Sequence, residues 1–114
     1  MSLQNTMTID GYQALIAFDS EIQLFRGEFL GLNGGADFYA KDVKGLQREG
    51  RLSLKIFLEA CAEDGVEPRK QFSGKFSLRV DPSTHEAATI AAAAHGKSLN
   101  QWAEDVLRQA ALAA

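Results

Sequence analysis

The chain has 114 residues, with 12 Lys or Arg against 15 Asp or Glu and a formal net charge of −3. That length predicts one or two small domains, and a 46% hydrophobic share with only two prolines argues against disorder. No apolar run is long enough to span a bilayer and no signal peptide is visible, so a cytoplasmic, membrane-free protein is expected; the single cysteine excludes an internal disulfide.

The first periodic stretch is Gly11–Phe18. Tyr12, Ala14, Ile16 and Phe18 alternate with Gln13, Leu15 and Ala17, which predicts a strand apolar enough to be buried on both faces. Asp19-Ser20 is a turn signal. Ile22–Phe29 predicts a second strand, the glycines Gly31, Gly34 and Gly35 a loop, and Ala36–Tyr39 a short third strand. Asp42 then caps a predicted helix that runs to about Asp64. Val43, Leu46, Gly50, Leu54, Phe57, Leu58 and Cys61 line one stripe of it, with Cys61 as a packing residue. Gly45 and Gly50 each weaken that helix by roughly 1 kcal/mol relative to Ala, which allows a break near Gly50. Together these elements predict a small antiparallel sheet with one long helix on its face.

From Gly74 the pattern changes. Phe76, Leu78 and Val80 alternate with Lys75, Ser77 and Arg79, so a strand with one apolar and one polar face is expected. Its ammonium, hydroxyl and guanidinium can read base edges or phosphates, or simply form a solvated face. Asp81 as N-cap and Pro82 in the first turn predict a helix from about Ser83 to His95, ended by Gly96. Its alanines, Ala87 to Ala94 around Ile90, let another backbone approach closely. Ser98 caps a second helix, Leu99 to about Ala110, with Leu99, Trp102, Ala103, Val106, Leu107 and Ala110 recurring at three and four. The N–H groups at Ser98, Leu99 and Asn100, with Lys97 beside them, suit a phosphate in addition to forming an ordinary cap. A strand and two short helices cannot bury their apolar faces alone. Doubled into a dimer, they would present a two-stranded ribbon that fits a DNA major groove, with Trp102 anchoring the dimer core.

Charge divides unevenly. Residues 1–66 hold six Lys or Arg and ten Asp or Glu, a net of −4, while residues 67–114 hold six and five, a net of +1, which together give −3. Arg69, Lys70, Lys75 and Arg79 cluster around the strand, and a dimer doubles them. The acidic part suits a basic partner.

No catalytic pattern emerges. A ribonuclease H site needs several carboxylates converging on two metals. Asp10, Asp19, Glu21, Glu28, Asp37 and Asp42 fall mostly in predicted turns or at a cap, which explains them without catalysis. There is no HxxxH or CxxC motif, and Gly31–Gly35 lacks the Lys-Ser/Thr of a phosphate loop. His85 and His95 lack a carboxylate or nucleophile at a useful spacing. Neither a metal nor a cofactor is expected, and no enzyme.

Arg79 to Asn100, ending in Gly96–Lys97–Ser98–Leu99–Asn100, resembles the ribbon-helix-helix repressors of the Arc and MetJ type. Residues 10–70 resemble the N-terminal domain of HicB antitoxins, through Tyr12–Phe18, Phe25–Glu28, Gly31–Leu32, and Phe57–Cys61 leading to Gly65–Pro68. The joint Phe72–Phe76 followed by Leu78–Val80 is similar to the HicB subgroup with a ribbon-helix-helix tail. The resemblance implies an α+β protein: residues 1–68 a HicB-like, reduced ribonuclease H-like toxin-binding domain, and residues 69–114 a ribbon-helix-helix that dimerises. It implies that Lys75, Ser77 and Arg79 contact bases, that Lys97, Ser98 and Asn100 hold phosphates, and that Phe76, Leu78, Val80, Trp102 and Val106 form the dimer core. The implied partners are operator DNA, a HicA-type mRNA-cleaving toxin and a second copy, as a homodimer or a dimer of dimers. The implied function is that of a type II antitoxin that masks the toxin and represses its own operon. Two other readings stand beside it: a stand-alone ribbon-helix-helix regulator without a toxin, and a weak nuclease fused to a dimerisation tail.

Overall fold

A computed structural model describes residues 5–113, so the outermost residues of the two expected domains lie outside the described residues. It is an α+β protein. Four strands, β1 (Thr6–Ile9), β2 (Tyr12–Asp19), β3 (Leu24–Phe29) and β4 (Asp37–Ala40), are followed by α1 (Val43–Asp64), α2 (Pro82–Ala94) and α3 (Leu99–Leu112). The chain divides between Ser73 and Gly74 into two compact units.

The first unit is an antiparallel meander in the order β1-β2-β3-β4. Its first hairpin turns on Asp10-Gly11, both at positive φ, with Ile9 opposite Tyr12. That is the two-residue connection whose twist matches the flanking strands. The sequence carries this Asp-Gly signal, yet β1 lay outside the expected elements. β3 starts two residues later than expected, because the turn after Asp19 extends to Gln23, itself at positive φ.

One face of the sheet carries the core. Ile9, Ala14, Phe29 and Phe38 pack with Leu46 and Leu54 of α1 and with Leu32 and Ala36 from the loop. The other face is open, so β2 is buried on one side only: Gln13, Leu15 and Ala17 are exposed, correcting the two-faced expectation. On that open face Arg26 donates to Asp37 at 2.5 Å and reaches Glu28 at 3.5 Å. Asp37, and to a lesser degree Glu28, raises the guanidinium's already high pKa.

α1 begins where expected. The Asp42 carboxylate accepts the Gly45 N–H at 2.7 Å, and Gly65 ends the helix in the left-handed region. No break occurs at Gly50, and its role is opposite to the expected one. A Cβ there would stand 2.3 Å from Ile9 Cδ1 and 3.2 Å from the Phe38 ring, so the missing side chain is what lets α1 approach the sheet. Gly45 is similarly crowded against Ala40. Under the same ring, a Cβ on Gly27 would meet Phe38 at 2.2 Å. Leu46, Gly50, Leu54 and Cys61 of the expected stripe are buried, while Val43 is exposed at the first turn.

After α1 the chain returns along the sheet unit. Pro68 O accepts the Asn33 N–H at 2.8 Å, Gly31 O accepts the Lys70 N–H at 2.9 Å, and Leu32 and Arg69 form a bridge. Arg69 donates to Gly11 O at 3.1 Å and its guanidinium lies 3.9 Å from the Tyr12 ring centroid. Arg69 therefore belongs to the sheet unit.

The packing of Gly50 makes a testable sign reversal. On an exposed helix, Gly→Ala stabilises by about 1 kcal/mol. Gly50→Ala is expected to destabilise the sheet unit by roughly 1–3 kcal/mol through overpacking, read by urea denaturation. A gain in stability would mean that α1 can rise off the sheet at little cost.

Candidate nucleic-acid interface

The second unit starts at Gly74, whose φ of +85° favours glycine. Residues 75–80 form no strand and join no sheet, a correction of the expected element. A strand is defined by ladder hydrogen bonds, and no neighbouring segment among the described residues supplies them here. The alternation is nonetheless plain. Phe76, Leu78 and Val80 are 72%, 63% and 50% exposed, and Lys75, Ser77 and Arg79 between them are exposed as well.

Pro82 occupies the first turn of α2, and Asp81 sits at the N-cap with extended backbone, but its side chain accepts no capping bond. Its backbone carbonyl instead takes the His85 N–H at 3.0 Å. The helix ends through paired backbone bonds: Gly96 N–H to Ala93 O at 3.0 Å, with φ +68°, and Lys97 N–H to Ala92 O at 2.9 Å. These satisfy two of the last carbonyls and turn the chain sharply into α3. Ser98 Oγ accepts the Gln101 N–H at 3.1 Å, the expected N-cap. The first helical bond is Trp102 N–H to Ser98 O, so the N–H groups of Leu99 and Asn100 point out of the helix end.

Lys97 is placed differently from a free phosphate ligand. Its Nζ donates to Asp105 Oδ2 at 2.6 Å, and Gln101 Nε2 donates to Asp105 Oδ1 at 3.0 Å. Hydrogen bonding from Lys97 above all holds the Asp105 carboxyl below the usual carboxylate range. The sequence reading missed this pair, although Asp105 lies one turn beyond Gln101 on the same helix face. Arg108 and Glu104 form a second ion pair one turn apart.

An open groove runs along α3, lined by Phe76 and Leu78 on one side and Ala103, Leu107 and Ala111 on the other, with Asn100 at one end. Trp102 is half-buried and Val106 exposed. Of the whole unit only Ala92 is buried among the described residues.

The carboxylates weighed for a nuclease are engaged elsewhere. Asp42 caps α1, Asp37 pairs with Arg26, Asp10 approaches Arg51 at 4.0 Å, and Asp19 accepts the Glu21 N–H. Among the described residues, no three His, Cys, Asp or Glu side chains gather as a metal set. His95 Nδ1 lies 2.8 Å from Ala91 O, and His85 is exposed. Among the described residues no helix is long and apolar enough to cross a membrane.

Residues 57–107, from the last turns of α1 through most of α3, match the sequence model of the HicB family. No curated protein and no solved structure matches the chain.

The Lys97–Asp105 pair sets a pH signature. A carboxyl whose folded pKa is depressed contributes stability above its unfolded pKa and loses it as pH falls through the folded value. Asp105 is therefore expected to titrate below the ordinary carboxylate range by NMR, and to return toward that range in Lys97→Ala. An unchanged Asp105 titration in that variant would mean the pair does not persist in solution.

Proposed function

We propose that this chain is a HicB-type antitoxin. It neutralises a HicA-type mRNA-cleaving toxin by masking it, and represses its own operon through a dimeric ribbon-helix-helix that reads the DNA major groove. It acts by binding and carries out no catalysis.

The observation that carries the reading is the unfinished second unit. Three alternating apolar side chains stand exposed beside a groove on α3 where Ala103, Leu107 and Ala111 are rimmed by Lys75, Glu104 and Arg108, in a unit that buries one alanine among the described residues. A second copy supplies what is missing. Two segments 75–80 pair antiparallel, each gaining a ladder partner, and Phe76, Leu78 and Val80 turn inward over the grooves with Trp102 and Val106. Alternation then fixes the other face: Lys75, Ser77 and Arg79 of both copies point outward together, a ribbon of the width a major groove admits. The helix end at Ser98, Leu99 and Asn100 offers N–H donors to a flanking phosphate. The HicB match over residues 57–107 supports an antitoxin role, and the net charge of −4 over residues 1–66 supports a basic toxin as the partner of the sheet unit.

Fluorescence anisotropy on DNA from the gene's own upstream region, against scrambled DNA, tests the repressor half. Wild-type protein is expected to prefer the upstream site, and Arg79→Ala to lose roughly 1–3 kcal/mol per base contact with the preference relaxed. Equal weak binding to both DNAs, unchanged in Arg79→Ala, would leave the ribbon as a dimerisation device only. Asp105→Asn releases Lys97 and is expected to tighten binding to both DNAs alike and steepen the salt dependence. A change confined to the upstream site would contradict a phosphate role for Lys97.

A further inference from the structure

The sheet unit has a second unfilled surface, at the outer edge of β4. Phe29 N–H bonds Ala36 O, and hydrogen-bonded pairs alternate along an antiparallel ladder, so Phe38 bonds β3 while Asp37 and Tyr39 turn their backbone groups outward. Ser53 Oγ caps the outward carbonyl of Asp37 at 3.1 Å. Nothing among the described residues does the same for Tyr39. Beside this edge, α1 presents Leu52 and Ile56, 52% and 59% exposed, over a shallow groove floored by Phe38. These are large aliphatic side chains at i and i+4 on one helix face, where a solvated helix would carry polar ones.

The charges lining the groove are of one sign. Asp37 and Glu49 are its ionised lining residues; Arg26 already holds Asp37, whereas among the described residues Glu49 pairs with Arg48 alone, 3.4 Å away on a side chain that is 72% exposed. A partner's cation can take that carboxylate without displacing a fixed bond. A second copy of this chain, with a net charge of −3, is a poorer electrostatic match than a basic protein.

We infer that the β4 edge and the Leu52–Ile56 face of α1 form a docking groove for a basic protein segment, in which an aliphatic side chain is flanked by Lys or Arg. The segment's backbone pairs with Tyr39, its aliphatic side chain covers Leu52 and Ile56, and a flanking cation meets Glu49. That this segment belongs to a toxin rests on the function proposed above; the groove's chemistry does not.

The test is a titration of the full-length ¹⁵N-labelled protein with an acetylated, amidated Lys-Ile-Arg-Leu-Lys peptide, followed in the amide spectrum. A control peptide carries Glu in place of each basic residue. Shifts are expected at Tyr39 and along Glu49–Ile56, weakening with salt, and absent with the acidic peptide. Leu52→Ser combined with Ile56→Ser is expected to weaken binding about tenfold, since both lose apolar contact, with an unchanged melting temperature because neither residue is buried. Glu49→Lys should weaken it as well. Shifts spread over the surface, no binding, or binding indifferent to these substitutions would overturn the groove. Shifts at the same residues on raising protein concentration alone would assign it to a second copy and overturn the basic partner. The peptide arm does not depend on any toxin. A groove that binds the peptide in a protein that leaves HicA-type ribonucleases active would therefore refute the antitoxin reading while the groove stands.

Discussion

Some 40 residues of which one alanine alone is buried among the described residues cannot hold a fold by themselves, and this constraint governs the chain from Gly74 onward. Ordering each residue costs roughly 1–2 kcal/mol of backbone entropy, which only burial and satisfied hydrogen bonds offset. α2 ends in paired carbonyl bonds at Gly96 and α3 begins on a serine cap at Ser98, although Asp81 gives α2 no side-chain cap. What they lack is cover: Phe76, Leu78, Val80, Ile90 and Leu107 all remain exposed. Local structure is thus complete where it depends on neighbours in sequence and unfinished where it depends on a surface from elsewhere. The absence of a strand at residues 75–80 has the same origin, since a ladder is a property of two segments.

The first unit shows the contrary case. Its core closes because Phe38 finds glycine on both sides, Gly27 in the adjacent strand and Gly50 in the helix above. One ring then fills the space that two side chains would otherwise dispute, and α1 lies close enough to bury Leu46 and Leu54. The return segment at residues 67–70 completes the unit by bonding to both the Gly11 turn and the Gly31–Asn33 loop. A self-sufficient platform can present docking features on its edges without depending on the partner for its own stability, which suits a module that must exist both free and bound.

How much of this was legible in the sequence follows from the range of the interactions. The helices, their caps and the β2–β3–β4 strands are written in local periodicity and turn chemistry, and they appear within two residues of their expected positions. Gly50 was misread because helix propensity is a property of an isolated helix, while its effect here comes from Ile9 and Phe38, some forty and twelve residues away in sequence. The contacts of Arg69 with Tyr12 and Gly11, nearly sixty residues away in sequence, were illegible for a similar reason. The β1 hairpin was missed although Asp10-Gly11 marks it, because Thr6–Ile9 is too short for its alternation to register alone. Within the candidate interface, positions such as Ser98 could be read from the chain, whereas the diversion of Lys97 to Asp105 depends on how the tight turn at Gly96 lays its side chain along α3.

That diversion bears on how such an interface discriminates. The tail's net charge is only +1 over residues 67–114, and two of its cations are already paired, Lys97 with Asp105 and Arg108 with Glu104. Attraction to phosphate is independent of sequence and grows with the number of cations offered, so a strongly basic tail would bind any DNA. In the proposed interface, holding Lys97 on Asp105 lowers that background, and Arg69 belongs to the sheet unit. On the proposed reading, what remains to favour one site over another is the set of side chains that alternate along the ribbon, doubled by the dimer. Specificity is a ratio between the right sequence and all others, and it rises as much by restraining the common electrostatic part as by improving a base contact. On the proposed reading Asp105 makes the phosphate contact conditional: Lys97 leaves it only where a well-placed phosphate offers a better partner.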